Sequence, residues 1–263
     1  MKKRKKLTPI VALHYLKLFI RSLLLILTSS VYIYNRIHDT GETFSGLENN
    51  RILTGIILCI FVVGMVLRFF PSRFESMGCQ KQFAKNYVEK EAPTEKIAVQ
   101  PGIVTFSVFA AWIALNAIIG ILYYTKIIDV GILLLICLIY SVCDVICILF
   151  FCPFQTWFMK NKCCGTCRIY NWDYAMMFTP LIFVPHLYTW SLLGIALALV
   201  VRWEITYKRH PERFSEKCNT SLSCAMCKEK LCHHKKQLQG FLKKGRFNLS
   251  GNSIFKNSKR DRD

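Results

Sequence analysis

IVTFSVFAAWIALNAIIGILYYTKIIDVGILLLICLIYSVCDVICILFF, residues 103–151, decides the fold. Its charged side chains are Lys126, Asp129 and Asp144, and the first two sit together in a short polar break. On either side of that break runs an apolar stretch near or above the ~20 residues that a helix needs to cross ~30 Å of hydrocarbon. The halves, Ile103–Tyr124 and Val130–Phe151, are therefore read as two spanning helices joined by an external turn at Thr125–Asp129.

Working outward, Leu16–Tyr34 and Ile52–Phe70 have the same character, and a longer block, Tyr174–Trp203, is interrupted by Pro180 and Pro185. The expected fold is all-α: a multi-pass helical membrane protein with four clear spans and a Pro-broken fifth apolar segment, filling residues 1–203. A Cys-rich tail module is expected at 204–239. The Asn/Ser-rich basic stretch 240–263 has the composition of a disordered tail. Across 263 residues, 53% are hydrophobic, and in this chain they come in blocks rather than evenly spread.

The start, MKKRKK, superficially resembles a secretory leader, but Lys17 and Arg21 interrupt the apolar run and no small-x-small cleavage site follows. It is read as an uncleaved first span, ending in the interfacial Tyr32/Tyr34 pair, with Lys17 and Arg21 snorkelling to headgroups. The net charge of +19 lies mostly at the ends. Beside spans, the positive-inside rule and anionic lipid account for basic segments, and without a recognition motif no nucleic acid is expected.

That rule puts the N-terminus in the cytoplasm of a cell-membrane protein. Asn35–Asn50 is then outside with Asp39, Glu42 and Glu48, and Pro71–Gly102 inside with Arg73, Lys81, Lys85, Lys90 and Lys96. In the latter, Phe74, Met77, Ala84 and Tyr87/Val88 share a helical face, which predicts an interfacial helix. The first cysteine loop is also inside. A single crossing by Tyr174–Trp203 would strand the basic tail outside, and thirty residues are too few for two full helices. A broken or re-entrant segment that returns the chain to the cytoplasm resolves the conflict, provided other helices bury it.

Two groups of four cysteines flank the last apolar block. Cys152, Cys163, Cys164 and Cys167 lie in CPFQTWFMKNKCCGTC, and Cys218, Cys224, Cys227 and Cys232 in CNTSLSCAMCKEKLC. Each group holds one C-x-x-C pair, a spacing that lets two thiolates from one turn face one ion. Four such ligands make a zinc site or hold an iron–sulfur cluster, and the sequence leaves the choice open. His233 or His234 could replace a ligand of the second group, and Cys164/Cys167 could join Cys224/Cys227 in one shared site. Thirteen cysteines with clustered thiols fit a reducing compartment. The bland alternatives are unliganded surface thiols and cysteines that fill space at the interface.

The stretch FFCPFQTWFMKNKCCGTC resembles the cytoplasmic C-P-containing loops of membrane-bound iron–sulfur electron-transfer proteins of the polyferredoxin type; the repeated cysteine signature of that group is not present. The resemblance implies electron transfer at a membrane with a redox partner protein.

Asp144, within the fourth span, is costly at that depth and should face the bundle interior toward Arg21, His14, Asn116 or His186. A structural ion pair is the plain reading, and a proton or cation relay the functional one. Asn116 and His186 are the other intramembrane polar candidates. Haem between His14 and His186 has little to support it. Ala110, Ala114, Ala117 and Gly120 predict close helix packing. No Walker loop, dinucleotide fingerprint, nucleophile elbow or H-E-x-x-H motif is present, so hydrolase or kinase chemistry is not expected.

The leading expectation is therefore a metal-binding, membrane-associated electron-transfer protein with lipid as its surroundings. The alternative is a small transporter or channel-like protein with a zinc-stapled tail, and thiol–disulfide exchange through the C-x-x-C pairs is a third.

Overall fold

The computed structural model describes residues 9–38, 51–71, 77–90, 102–159 and 164–223; for 51–54, 56 and 77–79 only the backbone is described. Seven α-helices are present among them: α1 Pro9–Ile37, α2 Arg51–Val66, α3 Met77–Gln82, α4 Gly102–Tyr124, α5 Val130–Leu149, α6 Asp173–Phe178 and α7 Leu187–Arg209. Short 3-10 and π turns connect several of them. Among the described residues four helices, α1, α4, α5 and α7, are long and apolar enough to cross a membrane.

α1 and α5 lie antiparallel. The hydroxyl of Tyr32, late in α1, donates to Asp129 at the start of α5 over 3.1 Å, while Tyr15 meets Phe150 at the other end with ring centroids 6.2 Å apart. The end of the bundle where α1 begins is here called the base, and the Tyr32–Asp129 end the crown. α4 climbs from base to crown and turns through Thr125–Ile128 into α5, which descends. Asp129 caps α5, its Oδ1 accepting from the Ile132 N–H at 2.8 Å.

The Pro-broken segment divides differently from the sequence reading. The break lies entirely in its first part. α6 and the 3-10 turn Thr179–Phe183 carry the chain from the base, where Trp172 meets Glu204, to the crown, where Phe183 stacks on Tyr123 and meets Tyr124 edge to face. α7 then returns to the base as a full helix reaching Arg209. A 3-10 turn rises ~2 Å per residue against ~1.5 Å in an α-helix, so a short stretch covers extra depth. This irregular leg is buried between α5 and α7, with Tyr174, Met177, Phe178, Leu181 and Val184 all in the core. That burial is the condition for non-helical backbone at membrane depth. Side chains bond the backbone it leaves open: Thr179 donates to the Ala175 carbonyl, and Thr189 to the Val184 and His186 carbonyls.

α2 also departs from expectation. Its helix stops at Val66, 16 residues long and roughly 24 Å, where the apolar block suggested a span to Phe70. The chain tightens at Leu67–Phe69 because Arg68 turns inward to Asp173. Counting α2 and the broken leg, the described backbone runs along the bundle six times, and the start of α1 and the end of α7 both lie at the base.

Outside the bundle, the base carries a clasp. The expected interfacial helix is reduced to α3 and a 3-10 turn at Ala84–Asn86, with 72–76 and 91–101 outside the described residues. The strand-like residues Val88–Lys90 pair with Cys218–Thr220, through Lys90 N–H to Cys218 O at 3.0 Å and Thr220 N–H to Val88 O at 2.8 Å. Phe83, Trp203, Tyr207 and Phe214 form the aromatic floor beneath. The stretch 210–223 is thus folded onto the base, and the expected module boundary at residue 204 falls inside α7.

Candidate functional site

The sequence places Asp144 on a face of α5 with Tyr140, Ser141 and Cys147. The structure supplies its partner: Arg21 of α1, Nη1 to Oδ2 at 2.9 Å, with the same Nη1 donating to the Ser141 carbonyl at 2.8 Å. Arg21 does not snorkel to headgroups as read from the sequence. Its guanidinium lies inward over the Phe61 ring, 5.9 Å from the centroid, because an unpaired carboxylate at this depth costs more than bending the cation in.

Two further pairs were not foreseen. Arg68 binds Asp173 and lies over the Tyr174 ring at 4.6 Å. Arg168 grips Glu204, its Nε donating to both carboxylate oxygens at 3.1 and 3.2 Å, and covers the Tyr207 ring at 4.5 Å. Hydrogen bonding to Glu204 raises the Arg168 pKa, against the cost of burial.

Asp144 and Asp173 line the same cavity, about 150 Å³, half-open, in the base half of the bundle. Its wall is rich in sulfur: Cys143 and Cys147 from α5, Cys152, Cys164 and Cys167 from the loops, and Met176 and Met177 from α6. Trp112, Tyr140 and Tyr170 supply aromatic faces, and Trp112 and Tyr140 touch with centroids 5.1 Å apart.

The cysteine loop is built as the C-x-x-C spacing requires. Cys164–Thr166 is a 3-10 turn closed by the Cys167 N–H on the Cys164 carbonyl at 3.1 Å, with Gly165 buried at its apex. Gln155 bridges two of the sulfurs. Its N–H donates to Cys152 Sγ at 3.4 Å, and its Oε1 accepts from Cys164 Sγ at 3.4 Å. The turn is held from outside by Gln82, which donates to the Gly165 carbonyl at 2.8 Å and accepts from Asn171 at 3.0 Å. The residue before Gln82, Lys81, accepts through its carbonyl from Asn219 of the tail at 3.1 Å. The tail is thereby tied, through Asn219, to the segment that holds the Cys164–Cys167 turn.

Of the eight expected ligands, Cys152, Cys164 and Cys167 meet at the cavity, and Cys218 is buried in the clasp. Cys163, Cys224, Cys227 and Cys232 lie outside the described residues. Among the described residues no three His, Cys, Asp or Glu side chains are placed to hold a metal ion. Cys147 was read on the Asp144 face without a role, and Cys143 was missed, although it precedes Cys147 at the i, i+4 spacing that makes the two neighbours on the helix surface.

Asn116 donates to the Trp112 carbonyl at 2.9 Å and belongs to α4's own ladder rather than to Asp144. His186 is not at mid-depth. It precedes α7 at the crown, exposed and stacked on Tyr188, while His14 is buried near the base. Lying at opposite ends of the bundle, the two cannot ligate one haem. No protein-family model, no curated protein and no solved structure matches this chain.

Proposed function

We propose that the chain is an integral membrane protein that passes electrons to or from the bilayer through cysteines gathered at the base of its bundle. The observation that carries this reading is the cavity where the Cys164–Cys167 turn, Cys152, Cys143 and Cys147 converge. In the metal-bearing version, Cys164 and Cys167 bind iron–sulfur or zinc together with Cys224 and Cys227. Cys152, Cys163, Cys218 and Cys232 stand as the reserve ligands. The run of contacts Gly165–Gln82, Lys81–Asn219 favours the shared site, since Cys224 follows Ser223 directly and Cys227 is within ~14 Å of extended chain.

The base faces the cytoplasm in this reading. Lys81, Lys85, Lys90, Lys208, Arg209, Arg213 and Lys217 all belong to it, whereas the sequence that follows α1 at the crown holds Asp39, Glu42 and Glu48. A redox partner protein would dock on that side.

Protein purified without oxygen tests the metal version. Broad visible absorption with iron and sulfide, lost in Cys164→Ser/Cys167→Ser, is the expected result for a cluster. A colourless protein with stoichiometric zinc makes the site structural and removes metal-based electron transfer.

A second reading, a small transporter or channel-like protein, draws on the two carboxylates lining a half-open cavity beside a Pro-broken leg. Flux that survives both Asp144→Asn and Asp173→Asn in folded protein would remove it.

A further inference from the structure

The cavity is shaped for a ring. Its ~150 Å³ matches the size known to admit a six-membered ring in a protein core. Its surface is almost wholly carbon and sulfur, and the two carboxylates on it are already engaged by arginines. Trp112, Tyr140 and Tyr170 offer flat faces for stacking. Cys143 lines the cavity and is itself exposed on the long apolar helix α5, so the cavity is reached past this residue from the helix's outer side, where lipid would lie. At the base of the cavity sit Cys164 and Cys167, joined by a tight turn whose geometry brings their Cα atoms within disulfide range.

We propose that this cavity seats the ring of a membrane-soluble quinone and that the Cys164/Cys167 dithiol reduces it. This rests on the electron-transfer reading and commits it to the dithiol form. Two S–H bonds break and one S–S bond forms between Cys164 and Cys167. The two electrons and two protons released convert the two quinone carbonyls to the hydroxyls of a hydroquinone. A reduced dithiol protein or small thiol at the base restores the pair by exchange.

The test uses the full chain, reduced, oxygen-free and in lipid nanodiscs, mixed with tetramethyl-1,4-benzoquinone, whose fully substituted ring blocks thiol addition. One quinone should be reduced per protein, with peptide mapping showing a Cys164–Cys167 disulfide. Cys59→Ser, on α2 away from the cavity, should behave as the parent. Met176→Trp, which fills the cavity, should slow the reaction by roughly a hundredfold, as displacement of a reacting group does. Cys143→Phe, a change at the exposed rim that spares the core, should also slow it if Met176→Trp fails to fold. Reduction at unchanged rate in the rim or filling variants, a disulfide elsewhere, or a co-purified acyl chain that quinone does not displace would overturn the proposal.

Oxidised dithiothreitol separates the two levels of the argument. If it forms the Cys164–Cys167 disulfide while quinone does not, the redox reading stands and the quinone site falls. If metal analysis finds Cys164 and Cys167 ligated and resistant to thiol reagents, the dithiol step is overturned and metal-based transfer remains. Inertness to both oxidants in metal-free protein removes both.

Discussion

At the level of single residues, the bundle is organised by arginines that reach inward rather than by the cysteines that dominate the sequence. Arg21 and Arg68 neutralise Asp144 and Asp173, the two carboxylates that line the cavity. Removing one partner should be worse than removing both. Arg21→Met leaves Asp144 charged and desolvated, and should cost about 3–5 kcal/mol of unfolding free energy. Arg21→Met/Asp144→Leu should recover most of that loss in denaturant titrations of the detergent-solubilised protein. Equal losses in the single and double variants would show that the pair is not coupled. Asp144 could be picked from the sequence because an isolated carboxylate in an apolar run stands out, and Arg21 was among its candidate partners. Arg68 and Asp173 could not be paired in that way. One ends an apolar block and the other sits in an aromatic stretch that also suits an interfacial anchor, and nothing periodic links residues so far apart.

At the level of elements, apolar length alone placed α1, α4 and α5, whereas α2 and the region after Trp172 needed tertiary contacts. Val66 and Phe70 look alike in hydropathy; the inward turn of Arg68 is what ends the helix. Pro180 and Pro185 signalled a break, but not that the break would take up a whole buried leg. Close packing along that leg is testable at the glycines. A methyl on Gly120 would fall 2.5 Å from the Phe183 ring, so Gly120→Ala must displace a ring that packs against Tyr123 and Tyr124. A loss of about 1–3 kcal/mol is expected, as for other overpacked sites. Gly194→Ala on α7 meets nothing within 4 Å and should be neutral or slightly stabilising in the same thermal unfolding measurement. Similar behaviour of the two variants would mean that the leg does not press on α4.

At the level of the whole molecule, the clasp is what joins the two cysteine segments. Cysteine spacing suggested a shared site but gave no route between the loop and the tail. That route runs through Gln82, Lys81 and Asn219, a polar chain whose members carry no local signature. Asn219 is fully buried and donates to the Lys81 and Arg213 carbonyls. Asn219→Ala should cost about 1–3 kcal/mol locally, seen as faster amide exchange across 211–222 while the bundle helices stay protected. The six runs along the bundle make a stronger claim, because they put the start of α1, the end of α7, the Cys164–Cys167 turn and Cys218 at one end of the bundle. Single cysteines introduced at Lys85, Lys217 and Thr125, in an otherwise cysteine-free background shown to fold, test this with a membrane-impermeant thiol reagent. In intact cells Thr125→Cys should label, while Lys85→Cys and Lys217→Cys should label only after the membrane is opened. Labelling of Lys217→Cys from the same side as Thr125→Cys would contradict the broken leg as a crossing and, with it, the gathering of the cysteines at one end.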